Sequence, residues 1–177
     1  MSDKKVIIRY AEISDLDSVR EVLLDAYQQY SETLSAERWE QYKESILLSV
    51  NAETTKARLV AEVGGEVVGS VFIYDSSETA YGAPQLEIHT PIIRLLGVSR
   101  KARGLGVATE LIRSSAKLSL EWGADTLHLH TSDLMDSAIR LYERLGFERA
   151  FDKEFMNGDI LVKSYRLPLR ETTLLNV

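Results

Sequence analysis

Cysteine is absent from this chain of 177 residues, which excludes disulfides, a thiol nucleophile and any cysteine-based metal site. Proline occurs only three times, and no linker, repeat or low-complexity tract interrupts the sequence. No apolar run approaches the ~18 residues that span a membrane. The opening MSDKKVIIRY lacks the apolar stretch of a signal peptide. An excess of basic charge is missing too. Lys and Arg total 21 against 27 Asp and Glu, a formal charge of −6, which argues against general nucleic-acid binding and suits a cationic or amine substrate. The length fits one domain over 1–177, its core about 7–169 and a loosely held tail over 170–177. A soluble, cytoplasmic protein with no membrane partner is expected.

What is present reads as alternating strands and helices. Residues 7–10 form a short strand, followed by Ser14 as N-cap with Asp17 three residues on. Leu16, Val19, Leu23, Ala26 and Tyr30 recur at helical spacing, and a second helix opens at Ser35 with Trp39, Tyr42, Ile46 and Val50 on one face. Two β-rich runs joined by Gly64-Gly65 predict a hairpin. Residues 75–85 read as a polar loop and 86–98 as a strand interrupted at Pro91. A helix over about 106–122 and a strand over 126–132 follow. The stretch DSAIRLYERLG predicts a short helix capped by Gly146. Last come strands over 147–155 and 160–169, paired through Asn157-Gly158. The predicted fold is mixed α/β, a mostly antiparallel central sheet of six to seven strands flanked by about four helices.

One stretch is out of character for an acidic chain. IIRLLGVSRKARGLGVATELIRSS passes from a strand through Arg100, Lys101 and Arg103, then through Gly104 and Gly106, into a helix. The first turn of a helix leaves backbone N–H groups unpaired and carries partial positive charge. Glycines there let the backbone approach an anion. A P-loop needs Gly-x4-Gly-Lys-Ser/Thr, which is absent, and a dinucleotide fingerprint needs glycine where Thr109 stands. The diphosphate of coenzyme A stays open, as does a basic loop that merely solvates the turn.

A second motif, SAIRLYERLGFE, lies downstream. Together the two resemble the GNAT superfamily of N-acetyltransferases. That family grips the coenzyme A diphosphate with Gln/Arg-x-x-Gly-x-Gly/Ala, here Lys101-Ala102-Arg103-Gly104-Leu105-Gly106, with lysine in the first place. Lysine keeps the charge but lacks the planar fork of arginine. The family's Ala-x-x-x-Tyr helix leading into Gly-Phe matches Ala138, Tyr142, Gly146 and Phe147. The resemblance implies that backbone of Leu96, Gly97 and Val98 pairs with the pantetheine arm like an added strand. It also implies that amides of Arg103, Gly104, Leu105, Gly106, Val107 and Ala108 hold the diphosphate. Met135 stands where many members have a cofactor-contacting asparagine, leaving that contact to Ser137 or Asp133. Pro91 would contribute to the family's disruption of this strand.

The activity so implied is transfer of acetyl from acetyl-CoA, as co-substrate, to a primary amine by direct attack in a ternary complex. Tyr142 would be the general acid for the leaving thiolate. Glu87 and His89, sharing a strand face by alternation, are candidate bases. Tyr27, Tyr30 and Trp39 would line the acceptor pocket or belong to the core. His128 and His130 also alternate on a strand, but no third ligand is evident and no metal is expected. The acceptor is a small-molecule or peptide amine, and homodimerisation is a family habit. A non-catalytic acyl-CoA sensor of the same fold is the alternative, and a plain α/β interaction domain the third reading.

Overall fold

The computed structural model describes residues 5–131, 136–157 and 160–175. In chain order these form β1 (Val6–Tyr10), α1 (Leu16–Tyr27), α2 (Ala36–Asn51), β2 (Ala57–Val63), β3 (Glu66–Tyr74), α3 (Ser77–Tyr81), β4 (Ile92–Val98), α4 (Val107–Glu121), β5 (Thr126–Thr131), α5 (Asp136–Arg144), β6 (Glu148–Arg149), β7 (Phe155–Asn157) and β8 (Ile160–Pro168). The fold is mixed α/β. Its sheet has eight strands ordered β1-β2-β3-β4-β5-β8-β6, with β7 paired to β8. β4 and β5 are parallel at Ile92↔His128 and Ile93↔Leu129, while β1–β2, β5–β8, β6–β8 and β7–β8 are antiparallel.

Two compact units divide the chain, and β3, β4 and α4 contribute residues to both. The first comprises the chain up to Phe72 together with Leu95–Ser114. Its core is Val19, Leu23, Val50, Val60, Phe72 and Leu111, each at most 0% exposed to solvent. Burying side chains of this size stabilises by about 1.5–3 kcal/mol each. The second unit comprises Ile73–Arg94 and the chain from Ser115 onward, with Ile92, Leu127, Ala150 and Leu167 fully buried.

Several local expectations change. Ser14 does not cap α1. The carboxylate of Asp15 accepts the N–H of Glu12 at 2.7 Å and an Arg9 guanidinium N–H at 2.7 Å, closing a short 3-10 turn ahead of the helix. Ser35 does cap α2, accepting from the Arg38 amide at 3.2 Å. Tyr30 lies in a 3-10 turn after α1 rather than in it. The polar loop contains α3, opened by Ser76, whose hydroxyl accepts from the Thr79 amide, and closed by Gly82 at φ 63°. β4 begins at Ile92; a 3-10 turn over Pro84–Leu86 and irregular backbone over 87–91 precede it. The expected strand over 147–155 is broken into β6, a 3-10 turn and β7. β7 and β8 pair up to Asn157↔Ile160, while Gly158 of their predicted turn lies outside the described residues. The C-terminal stretch is anchored in part, since Leu174 is 7% exposed.

Candidate functional site

In the first unit, β4 ends on an amide bond from Ser99 to the carbonyl of Val68 at 2.8 Å. A 3-10 turn over Arg100–Ala102 follows. Gly104 then takes φ 85° and Gly106 φ 78°, and α4 opens. A Cβ on either glycine would meet nothing within 4 Å, so the requirement here is for the left-handed backbone and not for space. Ala102 and Val107 are buried to either side, while Arg103, Gly104 and Gly106 are exposed. Val107 anchors the helix start against β3, because a Cβ on Gly69 would lie 2.8 Å from its Cγ1. Among the described residues, the amides of Gly104 to Ala108 donate to no other backbone group. N–H groups without a backbone acceptor at a helix start fit an anionic diphosphate. The Arg103 amide donates to the Arg100 carbonyl at 3.3 Å within the turn.

The cationic cluster is largely spoken for. Asp25 on α1 accepts both the backbone N–H of Arg100 at 2.8 Å and its guanidinium at 2.9 Å. The Arg100 amide, above all, holds the Asp25 carboxyl below its ordinary pKa. Lys101 pairs with Glu66 on the exposed surface, and Arg103 donates to the Ala26 carbonyl at 3.4 Å. The turn is therefore clamped to α1 and β3 by the residues expected to present free charge.

The strand leading to it carries a kink that the sequence does not announce. Leu95 has φ 55°, the strained left-handed region for a branched side chain, and its carbonyl accepts the Ser70 hydroxyl at 3.2 Å. The discontinuity in β4 thus sits at Leu95 and not at Pro91, whose carbonyl accepts the His128 amide at 2.9 Å. The Leu96 carbonyl accepts the Tyr27 hydroxyl. Gly97 is where α1 presses on β4, for a Cβ there would lie 2.9 Å from Leu23 Cδ2 and 3.3 Å from Ala26 Cβ; Val98 is half-buried. Tyr27 packs against Tyr30 and Tyr42, with centroids 6.0 and 5.9 Å apart, and Tyr42 stacks on Trp39 at 6.1 Å. Trp39 belongs to the core at 8% exposure.

In the second unit, Tyr142 is 8% exposed on α5. The Phe147 amide donates to its carbonyl at 3.0 Å, and the Gly146 amide donates to the Glu143 carbonyl at 3.1 Å. With Gly146 at φ 99°, this is a Schellman ending. Tyr142 and Phe147 supply its apolar contact, their centroids 5.9 Å apart. Met135 and Asp133 lie outside the described residues, as does the side chain of Ser137. Glu87 and His89 share no strand face. Both are exposed on irregular backbone, with Glu87 at φ 52°.

His128 and His130 lie on β5 as expected, but they are held neutral. Burial, foremost, pushes each down to about 4. His130 Nδ1 lies 2.9 Å from the Tyr81 hydroxyl. Among the described residues no group of three or more His, Cys, Asp or Glu is placed to hold a metal. The sequence reading missed a cavity of about 530 Å³ lined by Tyr81, Arg94, Leu86 and Phe155 among others. No periodic signal marks it, since its wall comes from irregular backbone, α3 and strand ends. No described helix is long and apolar enough to cross a membrane.

Comparison with known proteins gives this geometry a lineage. The model of the Acetyltransferase (GNAT) family matches residues 16–147. Rat N-acetyltransferase 8F1 is 31% identical over 123 residues, 66% of this chain and 53% of the relative. Rat N-acetyltransferase family 8 member 2 is 36% identical over 115 residues, 62% and 49% respectively. The chain spans about half the length of these curated relatives. Among solved structures, PaiA N-acetyltransferase of Thermoplasma acidophilum, in complex with coenzyme A, superposes with TM-score 0.69 at 15% identity, covering 90% of this chain and 98% of that one. A GNAT-family acetyltransferase of Staphylococcus aureus Mu50 gives TM-score 0.67 at 14% identity, covering 93% and 99%. With the family model running from the start of α1 through the glycine turn to the α5 cap, the chain belongs to the GNAT acetyltransferase family.

Proposed function

We propose that this chain is an acetyl-CoA-dependent N-acetyltransferase that modifies a primary amine by direct attack in a ternary complex. The observation that carries the reading is the pair of left-handed glycines, 104 and 106, opening α4 with unpartnered amides. Amides of Gly104, Leu105, Gly106, Val107 and Ala108 would hold the diphosphate, with Arg103 and Lys101 adding charge nearby. Backbone of Leu96, Gly97 and Val98 would pair with the pantetheine arm. The Leu96 carbonyl, having two lone pairs, accepts a second bond besides that of Tyr27. Bound there, acetyl-CoA supplies the acyl group as a thioester. The amine loses one proton as its nitrogen bonds the acyl carbon, and the departing thiolate gains one.

Tyr142 would donate that last proton, through its phenol O–H. Glu87 and His89 remain the proposed acceptors of the amine proton, their exposure keeping them in contact with water that could relay it. Ser137 is proposed to replace the missing asparagine. The acceptor is a small-molecule or peptide amine. The second reading, a sensor that binds acyl-CoA without turnover, draws on the packing duty that the Schellman ending gives Tyr142.

Titration calorimetry with coenzyme A tests the turn, and thiol release over a panel of amines tests transfer. Heat together with thiol release supports the enzyme. Heat without release supports the sensor, and no heat at millimolar ligand removes both.

A further inference from the structure

The cavity in the second unit is chemically one-sided. Of its eight lining residues, one is a cation, Arg94, and none is a carboxylate. Arg94 is half-buried and spends one N–H on the Ala80 carbonyl at 2.7 Å. Its guanidinium lies over the rings of Tyr81 and Tyr74, 5.0 and 5.6 Å from their centroids. Those two planes and one carbonyl fix the fork in place while leaving most of its five donors uncommitted. Among the described residues Arg94 has no carboxylate partner. Partly desolvated guanidinium without a counter-ion is costly unless an anion completes it, and planar carboxylates match its fork two bonds at a time.

The rest of the wall takes an apolar group. Leu86, Phe155 and Met156 line it, and the His130 ring, whose Nδ1 lies 2.9 Å from the Tyr81 hydroxyl, is neutral. The lining offers an ammonium aromatic faces but no carboxylate, and Arg94 repels a second positive charge. A polyamine, with several ammonium groups and no carboxylate for Arg94, therefore fits it less well than an amine whose own carboxylate offsets its ammonium. Along the chain, Arg94 lies two residues before Leu96, where the stretch of β4 proposed for the pantetheine arm begins. An acceptor held at Arg94 by one end would thus be tethered within two residues of that stretch of strand.

We infer that this cavity is the acceptor site and that it selects an amine carrying a carboxylate and an apolar side group, with Arg94 binding the carboxylate. The inference rests on the acetyl-transfer reading for its biological meaning, but the recognition itself is a binding property.

The test compares L-phenylalanine with 2-phenylethylamine, which differ only in the carboxylate, and with spermidine. Calorimetric titrations of the whole chain, with and without saturating coenzyme A, read binding directly; thiol release with acetyl-CoA reads kcat/KM. Phenylalanine is expected to bind at least roughly 10-fold more tightly than its decarboxylated twin, the scale of a charged hydrogen-bond pair. Arg94→Ala is expected to erase that difference and Arg94→Lys to keep part of it, with coenzyme A affinity unchanged in both. Should either variant fail to fold, the wild-type comparison still decides. Equal binding of the twins, preference for spermidine, or no binding of phenylalanine overturns the inference, whether or not acetyl transfer occurs. Thiol release with amines that lack a carboxylate would uphold the enzyme while rejecting this acceptor class; carboxylate-dependent binding without thiol release would do the reverse.

Discussion

Tyr142 answers two demands at one position, and they separate at its hydroxyl. Its carbonyl and ring close the end of α5 against Gly146 and Phe147, a duty that phenylalanine performs as well. The proposed proton transfer needs the O–H alone. Tyr142→Phe is therefore expected to leave the melting temperature within a few degrees of wild type. Turnover should slow by roughly 10- to 100-fold, the low end of acid–base contributions, because a thiolate with a pKa near ~8.5 already leaves tolerably. Thiol-release kinetics beside a thermal melt check both halves, and unchanged turnover would strip Tyr142 of the acid role. Truncation to alanine confuses the two, since losing a buried aromatic costs about 3–5 kcal/mol. The residue's motif was legible in the sequence because Gly146 has to be left-handed and says so by type. The left-handed Leu95 was not, since nothing about leucine announces a positive φ.

At the level of elements, the glycines of β4 and its turn separate packing from binding. On Gly97 a methyl group would intrude on Leu23 and Ala26, so Gly97→Ala is expected to lower stability by about 1–3 kcal/mol through the α1–β4 contact. On Gly104 or Gly106 it would touch nothing. Alanine there pays about 1–2 kcal/mol for left-handed backbone and relieves it by turning the amides away. Coenzyme A binding should then weaken by roughly 10-fold or more, the equivalent of that strain, while the denaturation midpoint moves less than in Gly97→Ala. Urea titration and calorimetry on the three variants check the contrast; if Gly104→Ala and Gly106→Ala keep full affinity, the turn is not the diphosphate site. The order of the long elements was readable because α1, α2 and α4 repeat their apolar residues at helical spacing. What escaped lacked room for a period: α3 has only five residues, and β4 starts later than its apolar run because 87–91 holds no strand pairing. The cationic turn was found for its charge, but Asp25 and Glu66, which neutralise much of it, come from distant positions that only folding brings close.

For the molecule as a whole, His128 and His130 of β5, one buried and one half-buried, set how stability responds to acid. His128, 6% exposed, is held near 4 chiefly by burial, with the neighbouring His130 lowering it further. An unfolded histidine titrates near ~6.5. Between those values the unfolded chain takes up a proton that the folded chain refuses, so stability is complete above about 6.5 and falls as pH drops toward about 4. For His128 alone the loss by pH ~5 is about 2 kcal/mol, and His130 adds to it in the same direction. Asp15 acts in a lower window. Its hydrogen bond from Arg9, before all else, holds it to about 2, so its contribution survives to the unfolded carboxylate range near ~3.9 and is lost only below. Two successive acid losses are thus expected, the histidine one first. Urea midpoints at pH ~7.5 and ~5 should differ by about 1 M or more for an m-value of 1–2 kcal/mol/M, and His128→Gln should shrink that difference even if it costs stability at neutral pH. A midpoint that stays constant between the two pH values would mean that the β5 histidines titrate freely, and that the His130 ring bonded to Tyr81 is charged in mild acid.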